Sequence, residues 1–417
     1  MNINANEKPK RVIVIGGGPA GMMAAGTAAK RGHNVRLIEQ NKILGKKLLI
    51  TGKGRCNVTN ACGDVEDLIR NVPTNSSFMY SAFYTFTNHQ LIEFLEDMGV
   101  KTKVERGNRV FPESDRSRDI ADALLRYLKD NNVEIIRDRV DEVLTDGEKH
   151  ISGVRCNKRG ELTADSVIIA TGGMSYQATG STGDGYYWAE QLGHTIKDLR
   201  PSLVPLKVSE DWIADAAGLT LKNIEIKVRN SKNKVIYKDF GEMMFAHFGL
   251  TGPVILSASA HMRDMKTESY KIELDLKPAL SEKQLDERLL RDFSAELNRD
   301  FRNSLGRLLP KSLIGIIIEL SGIDPYKKVN SITKEERRRL TQLLKCITFH
   351  VTDFCDIERA IITSGGVDVK EINPSTMQSK LVSGLYFAGE IIDVDAYTGG
   401  YNLQIAFSSG FLAGLSC

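Results

Sequence analysis

The sequence predicts an α/β protein: a split Rossmann-like nucleotide-binding domain carrying an inserted small antiparallel β-barrel and a helical subdomain. Three observations predict it. A complete strand–glycine turn–helix–strand unit lies between Arg11 and Gln40. A mid-chain and a late strand, each running into glycine, return the chain to the same sheet. After Leu203 the texture changes to alternating apolar residues, and later to helical spacing.

Val12-Ile13-Val14-Ile15 is β-branched throughout, the pattern of a strand buried on both faces. Gly16-Gly17-Gly18-Pro19-Ala20-Gly21 follows as G-x-G-x-x-G. In such a turn Gly16 allows the tight bend, Gly18 lets the backbone approach a pyrophosphate, and Gly21 lets helix and strand pack closely. Pro19 and Ala20 open the helix, whose N-terminus offers free N–H groups and a partial positive charge. Met22 to Lys30 continues it and Gly32 stops it. Val35 to Ile38 is the second strand. It ends in Glu39, 18 residues beyond Gly21, where a carboxylate can accept from ribose hydroxyls. The acid argues against a 2′-phosphate on this nucleotide.

FAD and NAD share this fingerprint, so the rest of the chain decides. Leu162 to Ala170 reads as a strand ending in Ala170-Thr171-Gly172-Gly173, and Gly384 to Glu390 as another ending in Gly389-Glu390. No second G-x-G-x-x-G occurs mid-chain, which disfavours a separate NAD domain. This is the layout of FAD proteins with one split nucleotide domain.

Leu91, Phe94, Leu95 and Met98 have helical spacing, as do Ile120, Leu124, Leu125 and Leu128. Val133 to Ile136 and Val140 to Leu144 read as strands, with Val140 placed to offer its backbone to an adenine edge. In the barrel, Ile224, Ile226 and Val228 share a face, as do Ile272, Leu274 and Leu276. Asn230 to Asn233 is the hairpin turn. Pro278 ends the barrel. Ser281 with Gln284 caps a helix whose stripe runs Leu285, Leu289, Phe293, Leu297, Phe301. Lys311 to Leu320 is a second helix closed by Gly322. Thr333 with Glu336 caps a third, which carries Arg337-Arg338-Arg339. That run is either a solvated face or an RNA contact. Thr348 to Phe354 then returns as strand. The expected segments are 1–197 and 347–417 for the FAD-binding domain, 198–277 for the barrel and 278–346 for the helices.

Four stretches are more specific. They are Thr51-Gly52-Lys53-Gly54-Arg55-Cys56-Asn57-Val58-Thr59-Asn60, Thr171 to Tyr176 with Gly180 to Gly185, Phe245 to Pro253, and Ala388 to Gln404 with its Thr398-Gly399-Gly400-Tyr401-Asn402-Leu403-Gln404. Together they resemble the BaiN/RdsA-like family of NAD(P)/FAD-dependent oxidoreductases, from Arg11 to the last helix. Gln177, Ala396 and Gln378 depart from the usual proline, glycine and glutamate. The resemblance implies FAD and a reductase that adds hydrogen across an activated C=C bond. One branch is linked to bile-acid dehydroxylation, and another makes dihydrouridine in large-subunit ribosomal RNA. The sequence does not choose between them.

Lys46, Lys47, Lys53 and Arg55 flank glycine-rich segments that can wrap a pyrophosphate. Gly54, Arg55 and Asn57 are therefore assigned to the cofactor. So are Ala170, Thr171, Gly172, Gly389 and Glu390, and also Asn402, Leu403 and Gln404 at the start of the last helix, whose N–H groups are expected to face the flavin. Adding hydrogen to C=C needs a hydride on one carbon and a proton on its neighbour. The candidate acids are Cys56, with Arg55 lowering its pKa, and His247 in a loop between strands. Both are expected in a cavity over the flavin ring. The bland alternatives are a packing residue for Cys56 and a structural role for His247.

Six cysteines form no C-x-x-C pair, and the seven histidines show no metal-ligand spacing, so no metal is expected. Sparse thiols suit a reducing cytoplasm. The apolar runs at Val12–Ile15 and Ile314–Ile318 are far short of the roughly 20 residues a bilayer needs. A net charge of +3 neither demands nor excludes a polyanionic partner. The reading is a soluble cytoplasmic flavoenzyme with NAD(P)H as transient donor. Its substrate is an electron-poor C=C, in ribosomal RNA or in a steroid-like enone. An RNA- or ribosome-associated protein with structural FAD and a flavin oxidase or hydroxylase are the alternatives.

Overall fold

The computed structural model describes residues 8–262, 265 and 269–417. They form two compact units. The first takes the chain up to Ser202 and again from Ile357 to Cys417; the second is Leu203–Asp356.

The first unit is built on a five-stranded sheet. Its strands in chain order are Arg11–Ile15, Asn34–Glu39, Glu134–Arg137, Ser166–Ile169 and Leu385–Phe387. All neighbours are parallel. In space the order is fifth, fourth, first, second, third. This is the doubly wound arrangement, and it reverses direction between the first and fourth strands. Ligands of such sheets bind outside the carboxyl ends of the strands at that reversal. Gly16 to Gly18 and Ala170 to Gly172 are the residues that stand there.

The opening helix Pro19–Lys30 and the last helix Tyr401–Ser416 pack against each other through small residues. A Cβ on Gly410 would lie 2.3 Å from the Ala20 carbonyl oxygen, and one on Gly414 would lie 2.3 Å from that of Ala24. Only glycine permits this approach. Around the sheet lie the helices Asn88–Asp97 and Ser117–Asp130 and two small antiparallel sheets. One pairs Arg109–Pro112 with Thr102–Glu105 and Thr59–Asn60. The other pairs Ile151–Cys156 with Val140–Thr145 and Gly160–Thr163. The expected strand Leu162 to Ala170 is thus two strands, divided at Ala164-Asp165, because Asp165 turns to hold Arg11.

The second unit is a closed six-stranded barrel. Ile224, Ile226, Val228, Ile272 and Leu274 are all fully buried in it, as the alternation predicts. The barrel is closed by Ile347–Phe354, which pairs with Tyr270–Asp275 and Leu206–Val208. That corrects the domain limits: residues 347–354 belong to the barrel, and the first unit resumes at Ile357. The helices Glu282–Ser294, Lys311–Ser321 and Lys334–Lys345 are no separate subdomain. Their apolar faces share one core with the barrel. The capping boxes at Ser281 and Thr333 form as expected. The first of these helices ends at Ser294, however, so Leu297 is exposed and Phe301 reaches the core from a separate turn.

Among the described residues no helix is long and apolar enough to cross a membrane.

Candidate functional site

The three glycines of the first turn do different things. A Cβ on Gly16, which has φ +105°, would lie 2.5 Å from the Ala170 carbonyl oxygen. One on Gly21 would lie 1.9 Å from the Gly16 oxygen. Both positions are closed by protein. A Cβ on Gly18 meets no atom within 4 Å. Gly18 has φ −78° and is the N-cap of the helix, with no side-chain cap and Pro19 following. The helix therefore presents its positive end, uncapped, to open space at the sheet's reversal point.

Glu39 at the end of the second strand holds the turn itself. Its Oε2 accepts from Gly17 N and its Oε1 from Asn41 N and Nδ2, all at 2.7 Å. A strap then runs from Gly45 to Thr59. It begins at Gly45, whose N–H donates to the Gly17 carbonyl at 2.8 Å. It ends at Thr59, against whose backbone Gly400, the N-cap of the last helix, is packed too tightly for any side chain. The strap thus borders the crevice from the glycine turn to the last helix.

Three of the four cations expected to face a phosphate are committed elsewhere, and the fourth, Lys53, is exposed on the strap. Lys46 Nζ donates to the Ala178 carbonyl at 2.5 Å. Lys47 Nζ is 2.7 Å from Glu390 Oε2 and 2.8 Å from Ser175 Oγ. Arg55 is held by Glu105 and Asp115. Positive charge for a pyrophosphate then comes from the helix end, from backbone N–H groups and, on the strap, from Lys53.

Glu390 is correspondingly not a free acid. Its Oε1 accepts from Thr363 N at 2.8 Å and Ser175 Oγ at 3.1 Å. Thr363 Oγ1 in turn accepts from the N–H groups of Met174 and Ser175. Thr363 carried no signal in the sequence, yet it shapes the turn after Gly172 and Gly173. Gly389 has φ +77° and sits against Ala20, where a Cβ would come within 2.8 Å of the Ala20 methyl. Tyr186 donates to the Glu390 carbonyl. Burial, with Glu390 and Asp393 nearby, holds its phenol well above the usual range.

Two assigned residues carry a buried polar atom without a hydrogen-bond partner: Asn57 Oδ1 and Thr171 Oγ1. Such a group costs roughly 1–3 kcal/mol unless something satisfies it. Together with the open Gly18 position, Asn57 Oδ1 on the strap fits a dinucleotide laid along the crevice, whereas Thr171 Oγ1 faces Gly185. Gly54, where a Cβ meets nothing within 4 Å, leaves similar room on the strap. Ala170 and Gly172 flank the reversal point, and Val140 is buried at the start of its strand.

The side chains at the start of the last helix are committed inside the protein, while the cofactor assignment there rests on backbone N–H groups; the expectation for Cys56 is corrected. Asn402 does not point outward: its side chain bonds Ala396 N at 2.9 Å and the Ala396 carbonyl at 2.7 Å, closing the preceding loop. Gln404 is fully buried and spent on Thr59, Phe86 and Ser408, while Leu403 packs on the core. Cys56 is also fully enclosed by protein, and burial pushes its thiol up to about 12. Arg55, the neighbour expected to lower it, is neutralised by its own carboxylates. That is the wrong environment for a proton donor at an open ring face. His247, in the second unit, is exposed. It forms with Phe248 a two-residue turn closed by the Ala246–Gly249 pair.

Among the described residues no group of three or more His, Cys, Asp or Glu is arranged to hold a metal ion.

A doubly wound sheet with an uncapped helix end at its reversal point defines a dinucleotide-binding protein. The family pattern of the HI0933-like protein Rossmann domain matches residues 10–416, and the chain belongs to that family of FAD-dependent oxidoreductases. It is 30% identical over 414 residues to the 3-dehydro-bile acid delta(4,6)-reductase of Clostridium scindens, covering 97% of this chain and 98% of that protein. It is also 30% identical over 409 residues to the ribosomal RNA dihydrouridine synthase of Haemophilus influenzae, covering 97% of both. Among solved structures, the 3-ketosteroid delta1-dehydrogenase of Sterolibacterium denitrificans in complex with 1,4-androstadiene-3,17-dione shares the fold. Its TM-score is 0.54 at 12% identity, over 98% of this chain and 99% of that one.

Proposed function

We propose that the protein reduces a carbon–carbon double bond conjugated to a carbonyl, with NAD(P)H as the source of electrons. The observation that carries this reading is full-length similarity, at equal identity, to two enzymes whose names describe that one reaction on different molecules. When bound, FAD supplies the hydride that one carbon receives. The chain must hold it, exclude water and deliver a proton to the neighbouring carbon.

Gly18, Pro19, Ala20 and Gly21 receive the pyrophosphate at the helix end. Asn57 Oδ1 on the strap is an acceptor awaiting a donor, and an N–H group or hydroxyl of a flavin nucleotide can supply one. Gly389 borders the last helix and the backbone of Leu403 lies in its first turn, whose positive end would stabilise negative charge beside it. With Cys56 enclosed, His247 is the remaining one of the two acids the sequence offers, and the variant below tests it as proton donor. The substrate class is an enone, either in a steroid-like molecule or as the uracil ring of ribosomal RNA.

Anaerobic addition of NADH or NADPH to the yellow holoprotein tests the donor. Bleaching of the flavin band with one of them is expected, and an oxidised flavin with both refutes it. His247→Ala should leave that bleaching intact and slow substrate reduction by about 100-fold or more, the usual worth of a positioned acid. Unchanged turnover would remove His247 from the account.

A further inference from the structure

The strap that borders the crevice contains a run of left-handed backbone. Gly52, Lys53, Gly54 and Cys56 have φ of +55°, +59°, +86° and +61°. Two of these carry side chains, and residues with a Cβ adopt that region only where their surroundings dictate it. Arg55 is the one right-handed residue among them, at φ −92°. Its guanidinium is fixed on two sides. Nε and Nη2 donate to Asp115 Oδ1 at 2.8 and 2.5 Å, and Nη1 and Nη2 donate to Glu105 at 3.3 and 2.5 Å. It also lies 4.2 Å above the Phe111 ring. Lys103 completes the group, 2.7 Å from Asp115 Oδ2. Two cations and two carboxylates leave no net charge.

Every one of these partners sits on the hairpin Thr102–Glu105/Arg109–Pro112 or just beyond it. The same hairpin takes the strap's next backbone bond, from Val58 N to the Val110 carbonyl at 2.9 Å. Ser117 Oγ takes an earlier one, to the Leu49 carbonyl at 2.7 Å. From within the left-handed run, Gly52 lies against the Phe111 ring and Arg55 supplies the hydrogen bonds to the carboxylates of the hairpin region.

We propose that Arg55 is a positioning residue: its clamp on Glu105 and Asp115 holds the strap in the strained shape that receives the flavin nucleotide, rather than Arg55 binding the phosphates itself. The inference rests on the strap bordering the FAD site. The planar fork matters because a lysine offers a point charge and cannot engage both carboxylates and the ring at once.

The two roles predict opposite signs. If Arg55 bound phosphate, removing Glu105 and Asp115 charges would free it and tighten FAD binding. If the clamp positions the strap, the same change loosens binding. The test is the FAD dissociation constant of the deflavinated protein, read by flavin fluorescence, for wild type, the double variant Glu105→Gln/Asp115→Asn, and Arg55→Lys. Both variants are expected to bind about three- to tenfold more weakly, the range of a small charge network. Trypsin should also nick both apo variants after Lys53 sooner than wild type, with the other sites still protected. Unchanged or tighter binding in the double variant, or wild-type affinity in Arg55→Lys, overturns the proposal. A wild-type protein that binds no FAD refutes the cofactor reading beneath it instead.

Discussion

Thr59 donates its hydroxyl to Gln404 Oε1 at 2.6 Å, deep inside the first unit. The same amide donates to the Phe86 carbonyl and to Ser408. One fully buried side chain therefore ties the end of the strap to the last helix and to a third segment. Gln404→Leu fills similar space but strands the Thr59 hydroxyl. It should cost roughly 1–3 kcal/mol in urea unfolding, the penalty for unpaired buried polar groups. A loss within error of zero would show that the network is not needed.

The glycines of the first turn should separate folding from binding. Gly21→Ala places a methyl 1.9 Å from the Gly16 oxygen and should lower expression and melting temperature. Gly18→Val has open space and an allowed φ, so the chain should fold and melt near wild type. It should nevertheless be colourless, because the side chain occupies the place of the pyrophosphate. Flavin retained in Gly18→Val would sink the assignment of the site.

Five of the six cysteines are buried and Cys346 is exposed. A thiol reagent at pH 8 should label one group promptly in the native protein and the remainder only on unfolding. Cys56→Ala should leave turnover within a fewfold of wild type, since a thiol raised to about 12 and enclosed by protein has no part in proton delivery. Rapid native labelling of Cys56 would contradict this.

His194 is buried between the Ala189 carbonyl, 3.3 Å from Nδ1, and Ser379 Oγ, 2.8 Å from Nε2. Ser379 Oγ already accepts from Leu381 N and Val382 N, so its hydrogen goes to a neutral Nε2. Burial lowers the pKa from the ordinary 6.5. As pH falls below about 6.5 the unfolded chain takes up the proton first, so stability is full above that pH and declines beneath it. Urea midpoints at pH 8 and 5.5 should differ more for wild type than for His194→Gln. An equal shift in both would place the pH dependence elsewhere.

The sheet was legible because Val12–Ile15 and Val167–Ile169 are continuous β-branched runs, the other strands are short, largely apolar runs, and the turns need glycine for local reasons. The barrel was legible from alternation at Ile224–Val228 and Ile272–Leu276. Its last strand was assigned to the wrong unit because Ile347–Phe354 alternates in the same way wherever it pairs. At the site, the backbone cradle could be read from spacing alone. The partners of Lys47, Arg55, Asn402 and Gln404 could not. Each lies far along the chain or in a loop without a pattern, as with Glu390, Glu105 and Phe86. A lysine or arginine next to glycines looks the same in sequence whether it meets a phosphate or a carboxylate. Thr363 and Asp115 act through a single hydroxyl or a left-handed turn, which leaves no mark in composition or period.

The most direct test of the central claim is anaerobic reoxidation of the reduced holoprotein by substrate. A conjugated steroid enone and a fragment of large-subunit ribosomal RNA are added separately, with oxygen excluded. The account predicts that one of them restores the oxidised flavin spectrum with a product two hydrogens heavier, one hydrogen arriving from the reduced cofactor and one from solvent. A flavin that stays reduced with both substrates would contradict it.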